Sequence, residues 1–260
     1  MSTLKSLVLG TAVFAATTLT ACNKPAEQVA TTDANSEQKT LRIATEAAYP
    51  PFNDTTADGQ IVGFDVDVIN AVCEEMKTKC EIVAQDWDGL IPGLLANKYD
   101  AIIAGMSITE ERLQQVDFSD PYFSNTIVWL AKNDGSFDPN HITNSVLGGQ
   151  RSTTGADYIT EKYDGKDGNR VQLYDTYTNA YLDMKAGRNV AVMAEKVSAA
   201  DWLKQNSDGF GLVGEELDNG DNLGIAVRKG DPLKDEINAA LAKIKQSGKL
   251  AELETANFNK

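Results

Sequence analysis

Residues 96–104 have the sequence Ala-Asn-Lys-Tyr-Asp-Ala-Ile-Ile-Ala, and residues 186–194 have the sequence Ala-Gly-Arg-Asn-Val-Ala-Val-Met-Ala. Both stretches combine the end of a helix, a turn with a basic residue and a continuous apolar run. Such an apolar run is typical of a strand buried in a parallel sheet. The repetition of this pattern suggests two lobes of similar construction.

Segments with strand and helix patterns alternate around these stretches, from about Thr40 onward. The strand patterns cover Leu41–Thr45, Cys80–Ala84, Ala101–Met106, Thr126–Ala131, Val146–Gly149, Val171–Tyr174, Val190–Ala194 and Leu223–Val227. The helix patterns cover Phe64–Lys77, Leu90–Asn97, a segment from about Gly155, residues 177–186, residues 196–206 and Asp231–Gln246. This alternation predicts an α/β fold with mostly parallel sheets flanked by helices.

The composition excludes several classes of function. The 260 residues are enough for one large domain or two smaller ones, and the net charge of −14 argues against nucleic acid as a partner. The single histidine, His141, excludes a metal site built from several histidines and makes a Ser-His-Asp triad unlikely. We expect His141 in a surface loop, and we predict no metal site and no cofactor.

The N-terminal residues have the pattern of an export signal. Residues 1–21 combine a short basic start, a short apolar run and small residues before the cleavage point, as in a signal peptide. The sequence Leu-Thr-Ala-Cys at residues 19–22 resembles the lipobox of bacterial lipoproteins, which implies acylation of Cys22, a periplasmic location and attachment to a membrane. An ordinary signal peptide with an incidental cysteine is the alternative. Residues 22–39 contain little to bury, and they predict a flexible lipoprotein tether.

Two further cysteines, Cys73 and Cys80, lie seven residues apart. In an exported protein such a pair tends to form a disulfide, and the end of a helix followed by a strand can bring the two Cα atoms within reach. Two free buried thiols are the alternative.

Several long segments together resemble the bacterial solute-binding proteins of family 3, which bind polar amino acids for ABC transporters. The segments, in the order that the family has, are Ala44–Phe52, Gly59–Asp67, Asp86–Leu94, Asp100–Arg112, Asp117–Phe123 and Gln150–Thr154. The subgroup that they resemble most binds lysine, arginine, ornithine or histidine. It also has a disulfide at the positions of Cys73 and Cys80.

This resemblance implies a periplasmic-binding-protein fold of type II, with two lobes and a ligand in the cleft between them. The first lobe is expected at residues 40–124 and 225–260, and the second at 127–221. Hinge strands are expected near residues 125–126 and 222–224. The resemblance also implies a monomer that delivers its ligand to the permease subunits of an ABC transporter.

The α-carboxylate and α-ammonium groups of an amino acid need fixed partners when they are buried. The resemblance assigns Arg112 to the carboxylate, and its planar guanidinium suits two parallel hydrogen bonds. It assigns Glu195 to the ammonium. The alternatives are an Arg112 at the surface and a Glu195 in a solvated pair with Lys196. Supporting contacts are expected from Gly105, Ser107 and the backbone N–H groups around Thr153 and Thr154, although a residue there could also simply cap a helix.

Three residues are candidates for the ligand side chain. Tyr49 and Trp87 offer aromatic faces, which attract cations when water is excluded. Glu46 offers a negative charge for a cationic tip, so the set predicts a basic ligand. The alternatives are core positions for the two aromatic residues and an exposed carboxylate for Glu46.

Four positions depart from the family pattern. Val190 and Glu195 stand where aspartate is usual, Ser152 stands where glycine is common, and Gly155 stands where a polar side chain is frequent. These departures concern the second lobe more than the first.

Three classes of function fit the resemblance. The first is a transport protein that binds without chemistry, which the residues favour. The second is an exported enzyme on the same fold, similar to the cyclohexadienyl dehydratases, and the third is a ligand sensor for a separate signalling partner. An enzyme needs a poised acid or base in the cleft, and Glu46 is the one candidate.

Overall fold

The structure, a computed structural model, describes residues 40–258. The predicted signal peptide, the acylation of Cys22 and the tether at residues 22–39 lie outside these residues. Within residues 40–258, no helix has both the length and the apolar composition needed to cross a bilayer.

Residues 40–258 form fifteen strands and eight helices. The strands are β1 Thr40–Thr45, β2 Ala48–Tyr49, β3 Asn53–Thr55, β4 Ile61–Val62, β5 Lys79–Ala84, β6 Ala101–Ile102, β7 Val116–Phe118, β8 Phe123–Ser124, β9 Ile127–Lys132, β10 Val146–Gln150, β11 Arg170–Tyr174, β12 Ala191–Glu195, β13 Phe210–Leu217, β14 Asn222–Leu223 and β15 Ala226–Arg228. The helices are α1 Phe64–Glu75, α2 Leu90–Leu95, α3 Glu110–Gln115, α4 Thr154–Tyr163, α5 Tyr177–Lys185, α6 Lys196–Asn206, α7 Leu233–Gln246 and α8 Lys249–Phe258.

Two five-stranded sheets of the same design form the two lobes. The strand orders are β5-β1-β6-β15-β7 and β11-β10-β12-β9-β13. The first three strands of each sheet are parallel, while the fourth pairs antiparallel with both of its neighbours. Four strands of each sheet therefore share one direction, and the prediction of an α/β fold with mostly parallel sheets is confirmed.

The chain passes between the two sheets twice, at neighbouring places. β8 leads from the first sheet into β9, and β14 leads from the second sheet into β15. These two strands pair antiparallel, with Ser124 opposite Asn222 and Phe123 opposite Leu223. The reversed strand in each sheet is therefore the one that follows a crossing.

The helices that cover the first sheet bury apolar residues at helical spacing. Helix α1 buries Phe64, Val68 and Val72, and helix α7 buries Ile237 and Leu241. Each fully buried side chain of this kind contributes about 1.5–3 kcal/mol through its removal from water. This packing fixes the sheet whose strand ends carry part of the binding site.

The disulfide is confirmed. Cys73, near the end of α1, is bonded to Cys80 in β5, and their Cα atoms are 6.2 Å apart. The bond joins the helix to the strand that follows it.

Several elements differ from the sequence prediction, and two predicted strands are interrupted. The predicted strand Ala101–Met106 pairs only over Ala101–Ile102, because the chain turns at Gly105, where φ is 58°. The predicted strand Leu223–Val227 is interrupted at Gly224, where a Cβ would lie 2.9 Å from the side chain of Ile108.

Helix α7 begins at Leu233, two residues later than predicted. Asp231 precedes it, and the carboxylate of Asp231 accepts a hydrogen bond from the backbone N–H of Leu233 at 3.0 Å. Several further elements were not predicted from the sequence: β2–β4, β7, β8, β13, α3 and α8. Most of these are short or lie at a sheet edge, where alternation of polar and apolar residues is weak.

Candidate ligand-binding site

The residues predicted to bind ligand lie where the parallel strands end. Glu46 follows β1, Gly105 follows β6 by three residues, and Glu195 is the last residue of β12. Thr153 follows β10 and immediately precedes α4. Open α/β sheets present ligand sites at the carboxyl ends of their strands, because the loops there converge from several strands.

One cavity between the two sheets brings six of the nine predicted residues together. We call it the acidic cavity, after Glu46 and Glu195. Its lining consists of Glu46, Tyr49, Trp87, Ala104, Gly105, Gln150, Thr153, Tyr177 and Glu195. Ala104, Gln150 and Tyr177 were missed by the sequence analysis. The one local signal for Gln150 is its position at the end of an apolar strand, separated only by Arg151 from Ser152, Thr153 and Thr154.

Arg112 and Thr154 border a second, adjoining cavity, which we call the arginine cavity. Trp87 lines both cavities, so its indole lies between them. The lining of neither cavity includes Ser107. The backbone carbonyl of Ser107 instead accepts a hydrogen bond from Nη1 of Arg112 at 2.7 Å.

The guanidinium of Arg112 is fixed from both lobes. Its Nη2 donates to the carbonyl of Ser152 at 2.8 Å, and its Cζ lies 5.3 Å from the centre of the Trp87 ring. Burial lowers the pKa of Arg112, and the negative charges of Asp221, Asp157, Glu195 and Glu111 oppose that shift. Arg112 therefore remains a cation in a position where hydrogen bonds fix its orientation.

Glu195 is buried and in contact with aromatic hydroxyls. The hydroxyl of Tyr49 donates to its Oε2 at 2.9 Å, and Tyr177 faces the same carboxylate. Burial raises the pKa of Glu195, and the nearby charge of Asp221 adds to that effect. A buried carboxylate of this kind favours a cationic partner, since a positive charge offsets the cost of desolvation.

Glu46 is the second buried carboxylate of the acidic cavity. Its Oε1 accepts a hydrogen bond from Nε2 of Gln150, across the cleft, at 2.7 Å. Burial, with smaller contributions from the charges of Glu195, Asp86 and Asp88, raises the pKa of Glu46 to about 7. The amide of Gln150 is neutral, so it does not compensate the charge of Glu46.

The ring of Tyr49 depends on a glycine beside it. A Cβ at Gly105 would lie 2.7 Å from Cε1 of Tyr49, and the φ of Gly105 is 58°. Both the close contact and the left-handed backbone require glycine at this position. Tyr49 is stacked on Phe52 with ring centres 5.1 Å apart, so its ring is held while its hydroxyl reaches Glu195.

The threonines of the second lobe have local partners. Oγ1 of Thr153 accepts from the backbone N–H of Ala156 at 3.2 Å, so Thr153 caps helix α4. Oγ1 of Thr154 donates to Asp221 at 2.8 Å. Both threonine side chains are therefore engaged locally. The turn before α4 also presents backbone N–H groups at the start of a helix, where anions are favoured.

Comparison with known proteins assigns the chain to a family. Residues 41–260 match the sequence profile of the bacterial extracellular solute-binding proteins, family 3. The chain belongs to this family. The L-arginine-binding protein of Pseudomonas aeruginosa is 40% identical over 230 residues, which cover 85% of this chain and 88% of that protein. An Escherichia coli relative, named as a putative ABC transporter arginine-binding protein 2, is 37% identical over 81% of this chain and 87% of its own length.

A solved structure of a family member has the same fold. It is described as an ancestral arginine-binding protein bound to glutamine, and it is 36% identical to this chain. The alignment covers 85% of this chain and 98% of the other, with a TM-score of 0.76. The two-lobed fold of the periplasmic binding proteins is therefore the fold of this protein.

Two of the departures from the family 3 pattern have structural explanations. Ser152 has a φ of 58°, a conformation in which glycine is favoured, and its hydroxyl donates to Asp88 across the cleft at 3.0 Å. A Cβ at Gly155 would lie 3.3 Å from Met193 and 3.7 Å from the hydroxyl of Tyr177. Gly155 therefore leaves space for Met193 and Tyr177 that a polar side chain would occupy.

Proposed function

We propose that this protein binds a free basic amino acid in the cleft between its lobes, with arginine as the first candidate. Lysine, ornithine and histidine belong to the same class of ligand. The observation that carries the proposal is the pair of buried carboxylates in the acidic cavity, Glu46 and Glu195, beside the guanidinium of Arg112 in the adjoining arginine cavity. A basic amino acid carries the complementary set, which is two positive groups and one carboxylate.

Arg112 and Glu195 are proposed to hold the groups that every amino acid has. The fork of Arg112 suits the α-carboxylate, and the turn before α4, at Thr153 and Thr154, offers backbone N–H groups for its remaining lone pairs. Glu195 pairs with the α-ammonium, with the carbonyl of Gly105 as a further acceptor. These partners do not distinguish one side chain from another.

Selection among side chains is assigned to Glu46, Tyr49 and Trp87. A cationic tip beside Glu46 compensates a carboxylate whose present partner is the neutral amide of Gln150. The flat faces of Tyr49 and Trp87 suit a long stem or a guanidinium, and such cation–π contacts contribute about 0.5–2 kcal/mol when water is excluded. A neutral side chain leaves Glu46 without a counter-charge, which disfavours it.

The names of the relatives support this ligand class. Both curated relatives described above are named for arginine. The ancestral protein is described with glutamine bound, which makes glutamine the most informative competitor. The amide of glutamine can form a hydrogen bond with a protonated Glu46, so discrimination against glutamine rests on the ionised form of that carboxyl.

The same proposal covers the role in the cell. The protein is a periplasmic monomer, attached to a membrane through acylated Cys22, that delivers its ligand to the permease of an ABC transporter. Its first lobe consists of residues 40–124 and 225–260, and its second of 127–221. The pairing of β8 with β14 supports a hinge near residues 125–126 and 222–224, because both chain crossings lie there.

Titration calorimetry tests the ligand assignment. The purified protein is titrated with arginine, lysine, ornithine, histidine, glutamine, glutamate and cystine, and the expected order places a basic amino acid first. Equal or tighter binding of glutamine, glutamate or cystine would overturn the basic-ligand assignment. Mass spectrometry of the recovered arginine is expected to find it unchanged, and a turnover product would instead indicate an enzyme.

The lipid anchor has a separate test. The intact mass of protein extracted from membranes is expected to show acyl chains on an N-terminus that begins at Cys22. The variant Cys22→Ser is expected to be released from the membrane or to remain unprocessed. A soluble wild-type protein with an unmodified N-terminus would contradict the anchor.

A further inference from the structure

A buried polar network lies behind the ligand-facing side of the first lobe, and its centre is Asp65. Asp65 is fully buried in the first turn of α1, where no solvent reaches its carboxylate. Nδ2 of Asn53 donates to its Oδ2 at 2.8 Å, and the hydroxyl of Tyr122 donates to its Oδ1 at 2.7 Å. The backbone N–H of Gly105 faces the same carboxylate. A buried carboxylate without a cation is retained only where such donors surround it.

The network reaches both ligand loops of the first lobe. Through Asn53 it holds the loop after β1, because Oδ1 of Asn53 accepts from the backbone N–H of Ala47 at 2.7 Å. Ala47 directly follows Glu46, the proposed partner of the ligand side chain. Through Gly105 the network holds the loop after β6, whose backbone lines the acidic cavity.

The loop after β1 is held in a conformation that needs support. Ala47 has a φ of 60° and Gly105 has a φ of 58°, so both are in the left-handed region. An alanine there costs free energy, and it persists only where surrounding contacts fix it. The hydrogen bond from Ala47 to Asn53, oriented in turn by Asp65, is such a contact.

The network also reaches the chain crossing. Tyr122 directly precedes β8, and its backbone N–H donates to the carbonyl of Leu223 in β14 at 2.9 Å. One carboxylate therefore has contacts with the β1 loop, the β6 loop and the residue that enters the first crossing strand. Of these residues, Gly105 lines the acidic cavity, whereas Asp65 itself does not.

We propose that Asp65 is a positioning residue for ligand binding: it sets the backbone of the Glu46 and Gly105 loops in the geometry that the ligand requires. The inference rests on the proposed function, since it assumes that these two loops contact the ligand. The proposal predicts an effect on the affinity for ligand, which is measured separately from the stability of the lobe.

The direction of the hydrogen bonds gives a sharp test. In the variant Asp65→Asn, one of the donors around residue 65 loses its acceptor, because the new amide can accept on one atom only. If Asn53 rotates to accept from it, the N–H of Ala47 then faces an amide nitrogen. In the double variant Asn53→Asp with Asp65→Asn, the donor lost in the single variant has an acceptor again. Ala47 and the new amide donate to the new carboxylate, and Tyr122 and Gly105 face the new amide oxygen.

Arginine binding, melting temperature and hydrogen exchange are measured for four proteins. The control is Asp67→Asn, which removes a carboxylate from the same turn of α1. Oδ2 of Asp67 accepts a hydrogen bond from Nδ2 of Asn257 at 2.8 Å, and Asp67 contacts neither loop. We expect Asp65→Asn to raise the Kd for arginine at least tenfold in folded protein. The double variant Asn53→Asp with Asp65→Asn should restore the Kd to within threefold of wild type, and Asp67→Asn should leave the Kd within twofold.

Hydrogen exchange without ligand gives a readout that does not depend on the proposed function. Asp65→Asn is expected to increase exchange at residues 46–49 and 104–107, while β5 keeps its protection. A lower melting temperature with unchanged Kd and unchanged loop exchange would overturn the proposal. Should Asp65→Asn fail to fold, Tyr122→Phe carries the test: an unchanged Kd and loop exchange in that variant would also overturn it. Wild-type protein that binds no basic amino acid would instead contradict the proposed function.

Discussion

Arg112 illustrates how a single side chain joins the two lobes. Its Nη1 contacts the carbonyl of Ser107 and its Nη2 contacts the carbonyl of Ser152, so each lobe contributes one acceptor. A planar fork can satisfy both carbonyls and still present further N–H groups to a carboxylate. A lysine ammonium has the charge but not this fixed geometry.

The variant Arg112→Ala is therefore expected to abolish measurable arginine binding, while Arg112→Lys retains weak binding. Leaving a desolvated carboxylate without a partner costs about 2–5 kcal/mol, which corresponds to about 30- to 5,000-fold in Kd. Titration calorimetry measures the effect, with Arg188→Ala as the control, since Arg188 pairs with Asp183 within one lobe and away from both cavities. An Arg112→Ala protein that binds within threefold of wild type would remove Arg112 from the site.

Glu46 is the residue on which the ligand class depends. The variant Glu46→Gln keeps the size of the side chain and removes its charge. We expect it to weaken binding of arginine and lysine at least tenfold and to reduce discrimination against glutamine. Competition titrations of arginine against glutamine measure both effects, with Glu252→Gln in α8 as a control far from the cleft. Unchanged discrimination would assign the selection to other residues.

The raised pKa of Glu46 also predicts a pH dependence. Burial raises this pKa from 4.5 to about 7, so the folded protein without ligand binds the proton more tightly than the unfolded chain does. The contribution of Glu46 to folding therefore falls as the pH rises from about 4.5 to about 7, and Glu46→Gln removes this loss. A cationic ligand binds the ionised carboxylate, so its affinity rises over the same range.

At pH 6, one unit below this pKa, the affinity of wild type for arginine is expected to be about tenfold lower than at pH 8. Glu195 also has a raised pKa, caused first by its burial, so the pH profile of wild type contains contributions from both groups. The comparison with Glu46→Gln isolates the part that Glu46 contributes. Parallel pH profiles for the two proteins would show that Glu46 does not titrate in this range.

At the scale of elements, the disulfide gives a prediction about stability alone. Cys73 and Cys80 join α1 to β5, and neither residue lines the acidic or the arginine cavity. The double variant Cys73→Ser with Cys80→Ser is expected to lower the free energy of unfolding by about 2 kcal/mol, because a short loop is no longer closed in the unfolded chain. The Kd for arginine should stay within twofold of wild type. Denaturant unfolding and calorimetry measure the two quantities, and a large change in Kd would contradict the separation between them.

The elements show what the sequence could predict. Helix α1 and strands β1 and β5 were predicted nearly to the residue, because apolar residues recur at helical spacing in α1 and form a short run in each strand. The strand at Ala101–Met106 was predicted too long, since an apolar run continues through Gly105 while the backbone turns there. An apolar run indicates that residues are buried, and it does not indicate whether they pair as a strand. Residues 103–106 are as buried as the strand that precedes them.

The binding site shows the same limit at the level of side chains. Residues carried by long motifs, such as Glu46, Tyr49 and Trp87, lie around the acidic cavity. Gln150 and Tyr177 line the same cavity and were not predicted, because their approach depends on how the second lobe faces the first. The position of Gln150 at a strand end is a local signal, but its contact with Glu46, which joins residues 104 apart in the chain, leaves no pattern in the sequence.

At the scale of the whole molecule, a small set of contacts holds the lobes against each other. They include Tyr49 with Glu195, Gln150 with Glu46, and Ser152 with Asp88. The first two surround the acidic cavity, so a bound ligand competes with them for the same carboxylates. The hydroxyl of Ser152 and the carboxylate of Asp88 lie at the border of the arginine cavity, where the contact can persist when ligand is bound.

The contact of Ser152 with Asp88 therefore predicts an effect on the rate of ligand release. The variant Ser152→Gly removes the hydroxyl, keeps the carbonyl that accepts from Trp87 and Arg112, and suits the left-handed backbone at this position. Because the contact forms only when the lobes meet, its loss should speed dissociation and leave association unchanged. A hydrogen bond of about 0.5–1 kcal/mol corresponds to about two- to fivefold faster release of arginine.

Stopped-flow kinetics measures both rates, and the melting temperature of the ligand-free protein is expected to stay equal or rise, since glycine relieves the strain at a φ of 58°. The control is Ser145→Gly, which removes a hydrogen bond from a serine hydroxyl to the carbonyl of Thr143, at 2.9 Å, within one lobe. An unchanged dissociation rate, or an equal effect in the control, would show that the contact between Ser152 and Asp88 does not hold the lobes together. Slower association would instead place its role before closure, in the first encounter with the ligand.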